Sequence, residues 1–245
     1  MIKRFIRRII PQSIFELLIG FRDVVRAHER RITDLEYRMK NRRQMAIDEL
    51  ADYIVGADVV GDYLEFGVYR GTTFSYAYKR LSPLFQNMKF FAFDSFEGLP
   101  KPQGIDSLNG YSSNFHEKEF LCTEGDFIAN LKQLGVNMEK VRVVKGWFDE
   151  TLKPENTKVY GICKIAAAWI DCDLYESTIP ILKFIISHLS VGSVVLFDDW
   201  RCFRNLPDFG EQRACREWLS ENPHITLREL FSFGWHGIAF TISSC

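Results

Sequence analysis

Asp171, Asp173, Asp198 and Asp199 are the side chains of this sequence whose type and spacing most readily do chemistry. They close two apolar runs. Ala168-Trp169-Ile170 leads into Asp171-Cys172-Asp173-Leu174-Tyr175, and Val194-Val195-Leu196-Phe197 leads into Asp198-Asp199-Trp200. Carboxylates gathered at about 4 Å repel by about 1–4 kcal/mol per pair, depending on the local dielectric. A cation or shared protons relieve that repulsion. The set holds no Cys or His, so a hard divalent cation such as Mg2+ suits it better than zinc. The plain alternative is capping and salt bridging.

The elements that position these residues follow from the spacing. A helix-length segment, Ser177 to Leu189, separates the two runs. Strand, helix, strand in that order makes the strands parallel. Neighbouring strands lie roughly 4.8 Å apart. Both acidic pairs then emerge at one carboxyl edge, where open α/β sheets bind ligands. Asp171 and Asp173, two apart on an extended chain, are expected to share a face.

A second constellation lies upstream. Tyr63-Leu64-Glu65-Phe66 reads as a strand, Gly67-Val68-Tyr69-Arg70-Gly71 as a turn, and Thr72-Thr73 opens a helix to about Leu81. Glycines let a backbone turn sharply and approach a ligand, and a helix start offers unpaired N–H groups to an anion. The pattern is neither GxGxxG nor a Walker loop. It lacks the geometry for a pyrophosphate, which argues against a dehydrogenase. It suits a smaller anion, such as the carboxylate of an amino-acid moiety, with Glu65 facing the ammonium. A ligand-free βα turn is the alternative.

Phe90-Phe91-Ala92-Phe93-Asp94 reads as the second strand, and Asp94 falls 23 residues past Gly71. An acid there accepts hydrogen bonds from ribose in nucleoside-binding α/β folds, although a lone strand-end Asp often caps a helix. With the glycine turn it points to a cofactor containing adenosine. Val141 to Lys145 reads as a third strand ending in Gly146-Trp147-Phe148. Those aromatics either stack on an adenine or join the core.

Residues 95–125 carry Gly98, Pro100, Pro102, Gly104, Asn109 and Gly110, which is loop chemistry, and read as a lid. Helices are expected at Glu124–Leu134, stopped by Gly135, and at Glu211–Leu219. Thr226–Leu230 and Gly237–Thr241 are expected to close the sheet as an antiparallel pair. Five histidines form no HExxH-like pair. His236, before the last strand, is the one placed to face the site, with a packed or surface role as the default.

Of the 245 residues, the first 43 carry net +7 and the remainder net −8, for a total of −1. The basic arm therefore has its own partners. Ile2, Phe5, Ile9 and Ile10 fall on one helical face, with Lys3, Arg4, Arg7 and Arg8 around it. Pro11 breaks that helix or starts the next. Ile14, Leu17, Leu18 and Phe21 form a second series, and Arg31 to Ile54 a third, charged segment. An arm lying on an anionic membrane surface, a cap on the core and a dimer contact all fit. The six cysteines form no CxxC pair and read as reduced thiols of a cytoplasmic protein. No apolar run reaches 18 residues, so no spanning helix is expected, and no signal peptide either.

Together, Leu64-Glu65-Phe66-Gly67-Val68-Tyr69-Arg70-Gly71, Phe93-Asp94-Ser95-Phe96-Glu97-Gly98-Leu99-Pro100, Lys145-Gly146-Trp147-Phe148, Asp171-Cys172-Asp173-Leu174-Tyr175-Glu176-Ser177-Thr178 and Phe197-Asp198-Asp199 resemble the macrocin O-methyltransferase family. These are class I S-adenosylmethionine enzymes that methylate sugar hydroxyls with magnesium. The resemblance spans about residues 60–243. It implies an α/β fold, a doubly wound, mostly parallel seven-stranded Rossmann-like sheet over residues 56–245; residues 1–55, read as a helical extension from their own pattern, lie outside it. It implies that Asp171, Asp198 and Asp199 hold Mg2+ and that Asp173 is the base. It implies that Glu65, Gly67, Val68, Tyr69, Gly71, Thr72, Asp94, Ser95, Gly146 and Trp147 hold S-adenosylmethionine. The expected partners are a small-molecule or glycan acceptor, no nucleic acid, the inner membrane face through residues 1–43, and a second copy of the chain. The rival readings are a metal-independent methyltransferase acting on nitrogen or carboxylate, and a non-catalytic scaffold.

Overall fold

A computed structural model describes residues 12–107, 115–153 and 156–245, the side chains of residues 12–24, 157 and 158 excepted. The chain divides into two compact units, residues 1–42 and 43–245.

Helix α1, Gln12–Gly56, is one run of 45 residues. Two separate segments, one around Ile14–Phe21 and one from Arg31 to Ile54, were expected in its place. The intervening Arg22–Arg30 stretch has good helix formers in its three arginines, Ala27 and Glu29, and holds no Gly or Pro to stop it. The helix expected around Ile2, Phe5, Ile9 and Ile10, with Pro11 at its end, lies outside the described residues. Within residues 1–42 the described side chains are mostly exposed, and Arg38 pairs with Asp34 one turn back at 2.8 Å. Such an exposed pair contributes little. Among the described residues no helix is long and apolar enough to cross a membrane.

The second unit is built on strands β1 (Asp62–Phe66), β2 (Phe90–Asp94), β3 (Val141–Lys145), β4 (Ile165–Ile170), β5 (Val194–Phe197), β6 (Thr226–Phe233) and β7 (Gly237–Ser244). They form one sheet in the order β3-β2-β1-β4-β5-β7-β6. β1 to β5 run parallel, and β7 runs antiparallel to both its neighbours. This is the seven-stranded, mostly parallel sheet the sequence led us to expect. Helices α2 (Thr72–Leu81), α3 (Glu124–Gln133), α4 (Tyr175–Ile185) and α5 (Gly210–Glu221) cover it.

β1, β4 and β5 are buried at every position, as strands covered on both faces must be. Alternation sorts their side chains into two layers. On one face Tyr63, Phe90, Trp169 and Leu196 meet Phe74 of α2, Phe127 of α3, and Ile47, Leu50 and Ile54 from the end of α1. On the other, Leu64, Phe66, Phe93, Ile170 and Phe197 meet Ile181 and Leu182 of α4 and Trp218 of α5. Phe66 stacks on Phe93 with centroids 4.8 Å apart, and cutting so buried a ring to Ala costs about 3–5 kcal/mol.

The crossovers leave β1 in opposite directions, to β2 on one side and eventually to β4 on the other. The carboxyl ends of β1 and β4 therefore flank the crevice where such sheets bind ligands. Between β2 and α3 the described part of residues 95–123 holds only a 3-10 turn at 104–107; Asn109 and Gly110 lie outside the described residues. Asp106 anchors this segment. It is buried, and its carboxylate accepts the amides of Tyr175 (2.9 Å) and Glu176 (3.0 Å) at the start of α4.

Candidate active site

The ladder delivers the acidic residues to one place. Ile170 pairs with Phe197 in register, so Asp171 and Asp198 leave adjacent strands at the same level. Asp171 N–H donates to the Phe66 carbonyl (2.9 Å) and Asp198 N–H to the Ile170 carbonyl (2.8 Å). Carboxylate oxygens of Asp171, Asp198 and Asp199 lie within 4.8 Å of one another. Asp198 and Asp199 are buried, and Asp171 is partly exposed.

Asp173 departs from the expectation that it shares a strand face with Asp171. β4 stops at Ile170. The Leu174 amide then donates to the Cys172 carbonyl at 2.6 Å, and Asp173 takes φ 61° between them. That is a tight γ-turn, a strained conformation of the kind concentrated at functional sites. The turn buries the Asp173 side chain and points its amide at Asp199 Oδ2, 3.3 Å away.

Burial raises the pKa values of Asp171, Asp173 and Asp199, and the charges of their neighbours raise them further: Asp198 for Asp171 and Asp199, Asp199 for Asp173. Glu211 is raised for the same two reasons, burial first and then Asp199. This fifth carboxyl, at the start of α5, accepts the Asp199 amide at 2.9 Å, and its other oxygen has no protein partner. The Cys202 thiol donates to Asp199 Oδ1 at 3.2 Å.

His236 is wholly buried beside the triad. Its Nδ1 is 2.7 Å from the Asp198 carbonyl, so Nδ1 carries the proton, because a carbonyl only accepts. Its Nε2 has no protein partner. Arg43, the first residue of the second unit, completes the cluster. Its Nε donates to both Asp198 oxygens, at 3.0 and 2.9 Å, and its Nη2 also reaches Asp198. Burial alone would lower the Arg43 pKa, but the charges of Asp198 and Asp171 outweigh it and raise it.

The second constellation lies alongside. Gly67 has φ 84°, and a Cβ there would collide with the Asp171 carbonyl. Asp94 Oδ2 accepts the amides of Val68 (2.8 Å) and Tyr69 (3.3 Å), while Oδ1 accepts that of Phe96 (2.7 Å). Gly71 (φ 77°) precedes α2 and, having no side chain, caps nothing; in the first turn of α2 the Phe74 amide donates to Glu65. Ser95 Oγ accepts the Glu97 amide and donates to the Gly98 carbonyl. The Gly146 amide donates to the Asp94 carbonyl at 3.0 Å, which brings Trp147 to the same edge.

Glu65 is buried on the face that packs against α2 and α3. The Tyr63 hydroxyl donates to it at 2.6 Å. Burial pushes its pKa up to about 8, against the lowering effect of that bond. All six cysteines are free. Arg43, Tyr63, Asp106 and Glu211 were not singled out from sequence. Their only signal was to be charged or polar residues at positions that proved to be buried or, for Arg43, half-buried.

A doubly wound sheet with a glycine turn and an acidic triad at one carboxyl edge is the frame of a nucleoside-binding enzyme. A family model for macrocin-O-methyltransferases (TylF) matches residues 20–221. The chain belongs to that family. The match begins inside α1 and ends with α5, whereas the motifs suggested residues 60–243.

One curated relative is the 8-demethyl-8-(2,3-dimethoxy-alpha-L-rhamnosyl)-tetracenomycin-C 4'-O-methyltransferase of Streptomyces olivaceus. It is 31% identical over 151 residues, which cover 60% of this chain and 56% of that enzyme. The match thus spans little more than half the length of that relative. Among solved structures, the O-methyltransferase NovP superposes with a TM-score of 0.67 at 25% identity, covering 82% of this chain and 79% of that one. CalS11, a calicheamicin methyltransferase, gives 0.65 at 25% identity, covering 96% and 87%.

Proposed function

We propose that this protein transfers a methyl group from S-adenosylmethionine to a hydroxyl of a sugar or glycosylated small molecule, with Mg2+ held by Asp171, Asp198 and Asp199. The observation that carries this reading is the convergence of three carboxylates within 4.8 Å beside the turn that Asp94 ties down. The 4'-O-methyltransferase activity of the Streptomyces olivaceus relative, on a rhamnosyl tetracenomycin, supports a sugar acceptor.

The residues present fit such a cation. All the donors are carboxylate oxygens, which hard divalent ions prefer, and the site already draws the Arg43 guanidinium. A bound Mg2+ would lower the pKa of a coordinated hydroxyl. S-adenosylmethionine would supply the methyl group on a sulfonium.

The chain's own residues do the rest. Asp173, with its proton affinity raised by burial, takes the proton of the acceptor hydroxyl as general base. The N–H groups of the α2 start receive the cofactor's carboxylate, and Glu65 faces its ammonium. Asp94 Oδ1, which accepts a single amide, offers its second lone pair to the ribose, and Ser95 shapes the turn beside it. Gly67, Val68, Tyr69 and Gly146 give the ligand backbone access, and Trp147 stacks on the adenine. The segment 95–123 closes over both ligands and excludes water.

The basic charge of residues 1–43 favours work at an anionic membrane surface on the cytoplasmic side. Flotation of the full chain on anionic and neutral vesicles tests the membrane part, and equal flotation on both removes it.

Labelled methyl transfer into a set of glycans, with Mg2+ and with EDTA, tests the chemistry. Transfer lost in EDTA and restored by Mg2+ is expected. Transfer that survives EDTA removes the metal, and calorimetry without S-adenosylmethionine binding removes the activity.

A further inference from the structure

Arg43 enters none of these steps, yet its guanidinium lies on the residues assigned to the cation. It makes a bidentate contact with Asp198 and an ion pair with Asp171 at 3.9 Å. The Asp198 side chain is wholly buried, and that of Arg43 is 26% exposed. A buried carboxylate with no counter-charge is very unfavourable, and the planar fork of Arg matches a carboxylate better than any other cationic side chain. A divalent ion on the triad needs the same oxygens. It would also meet a like charge at contact distance.

The backbone of Arg43 is not free to follow. Ala46, Ile47 and Leu50, within the next two turns of α1, are buried at 0–1% exposure in the core. Only the partly exposed side chain can swing. We infer that Arg43 is a resident counter-ion that a divalent cation must displace from Asp198. The guanidinium offsets part of the triad's negative charge without the ion, and it sets how tightly the ion binds. This rests on the reading that Asp171, Asp198 and Asp199 take a divalent cation.

The test uses the full chain and Mn2+ binding followed by electron paramagnetic resonance, with no turnover involved. Arg43→Gln is expected to bind Mn2+ on the order of tenfold more tightly than the wild type, because a competitor at contact distance is gone. It is also expected to melt at a lower temperature without the ion and to gain more on adding it. Arg43→Lys, which keeps the charge and loses the fork, is expected to fall between the two, and it carries the comparison if the Gln variant does not fold. By nuclear magnetic resonance, the Arg43 Nε–H is expected to be protected from exchange in the ion-free protein and exposed at saturating Mg2+. Equal or weaker Mn2+ binding by both variants, or an Nε–H that stays protected, overturns the inference and leaves the cation reading standing. Absence of Mn2+ binding in all three chains overturns both.

Discussion

The carboxylate of Asp94 and the amide of Val68 lie 2.8 Å apart, joining the end of β2 to the glycine turn that follows β1. The same carboxylate also holds the amides of Tyr69 and Phe96. Asp94→Ala frees three backbone donors at once and is expected to cost about 1–3 kcal/mol of stability. Its affinity for S-adenosylmethionine, measured by calorimetry, should fall at least tenfold, and Asp94→Asn should retain part of it. An unchanged dissociation constant would take Asp94 out of the proposed pocket.

Glu65 makes a prediction in pH. Its pKa rises from 4.5 to about 8 in the folded chain, chiefly through burial. Below 4.5 both states hold the proton and the contribution is fully present. As pH rises towards 8 the unfolded chain releases its proton first, so stability declines through that window. Glu65→Gln cannot titrate and should flatten the decline. Urea denaturation at pH 5, 6, 7 and 8 measures the slope, and parallel slopes for the two proteins would contradict the assignment.

Asp198→Asn should act on stability and activity together. It weakens a buried ion pair with Arg43 while relieving repulsion from Asp171 and Asp199. The direct contact dominates, and the net loss is expected at about 1–3 kcal/mol in ion-free protein. Methyl transfer should drop by about 100-fold or more, since a bound metal contributes several kcal/mol to such steps. Wild-type rates in this variant would place the chemistry elsewhere.

Gly67→Ala tests the seam between the two halves of the site. A side chain at φ 84° is strained, and here its Cβ also meets the Asp171 carbonyl. A loss of about 3 kcal/mol or more is expected. Thermal melts with and without Mg2+ should show the ion stabilising the variant less than the wild type.

The strand ends were readable because the crossover between the two acidic runs allows only one relative direction. With that direction fixed, Asp171 and Asp198 had to meet. Asp173 was misplaced because a two-residue spacing says nothing about where a strand stops, and the γ-turn at Cys172–Leu174 has no glycine to announce it. Arg43 was invisible for a different reason. It lies 155 residues from Asp198 in a stretch crowded with charges, and nothing local separates it from the exposed arginines before it. Glu211 entered only as the start of an expected helix, and it is tertiary packing that buries it against Asp199. His236 has a packed or surface role as its default reading from sequence. The structure keeps it packed and also sets it against the acidic cluster.

The fit of Gly67 against the Asp171 carbonyl has a practical consequence for redesign. The glycine turn after β1 and the acidic end of β4 cannot be retuned independently, because widening one moves the other. The segment between β2 and α3 is fastened elsewhere, by Asp106 to the start of α4, and offers a separate place for substitution.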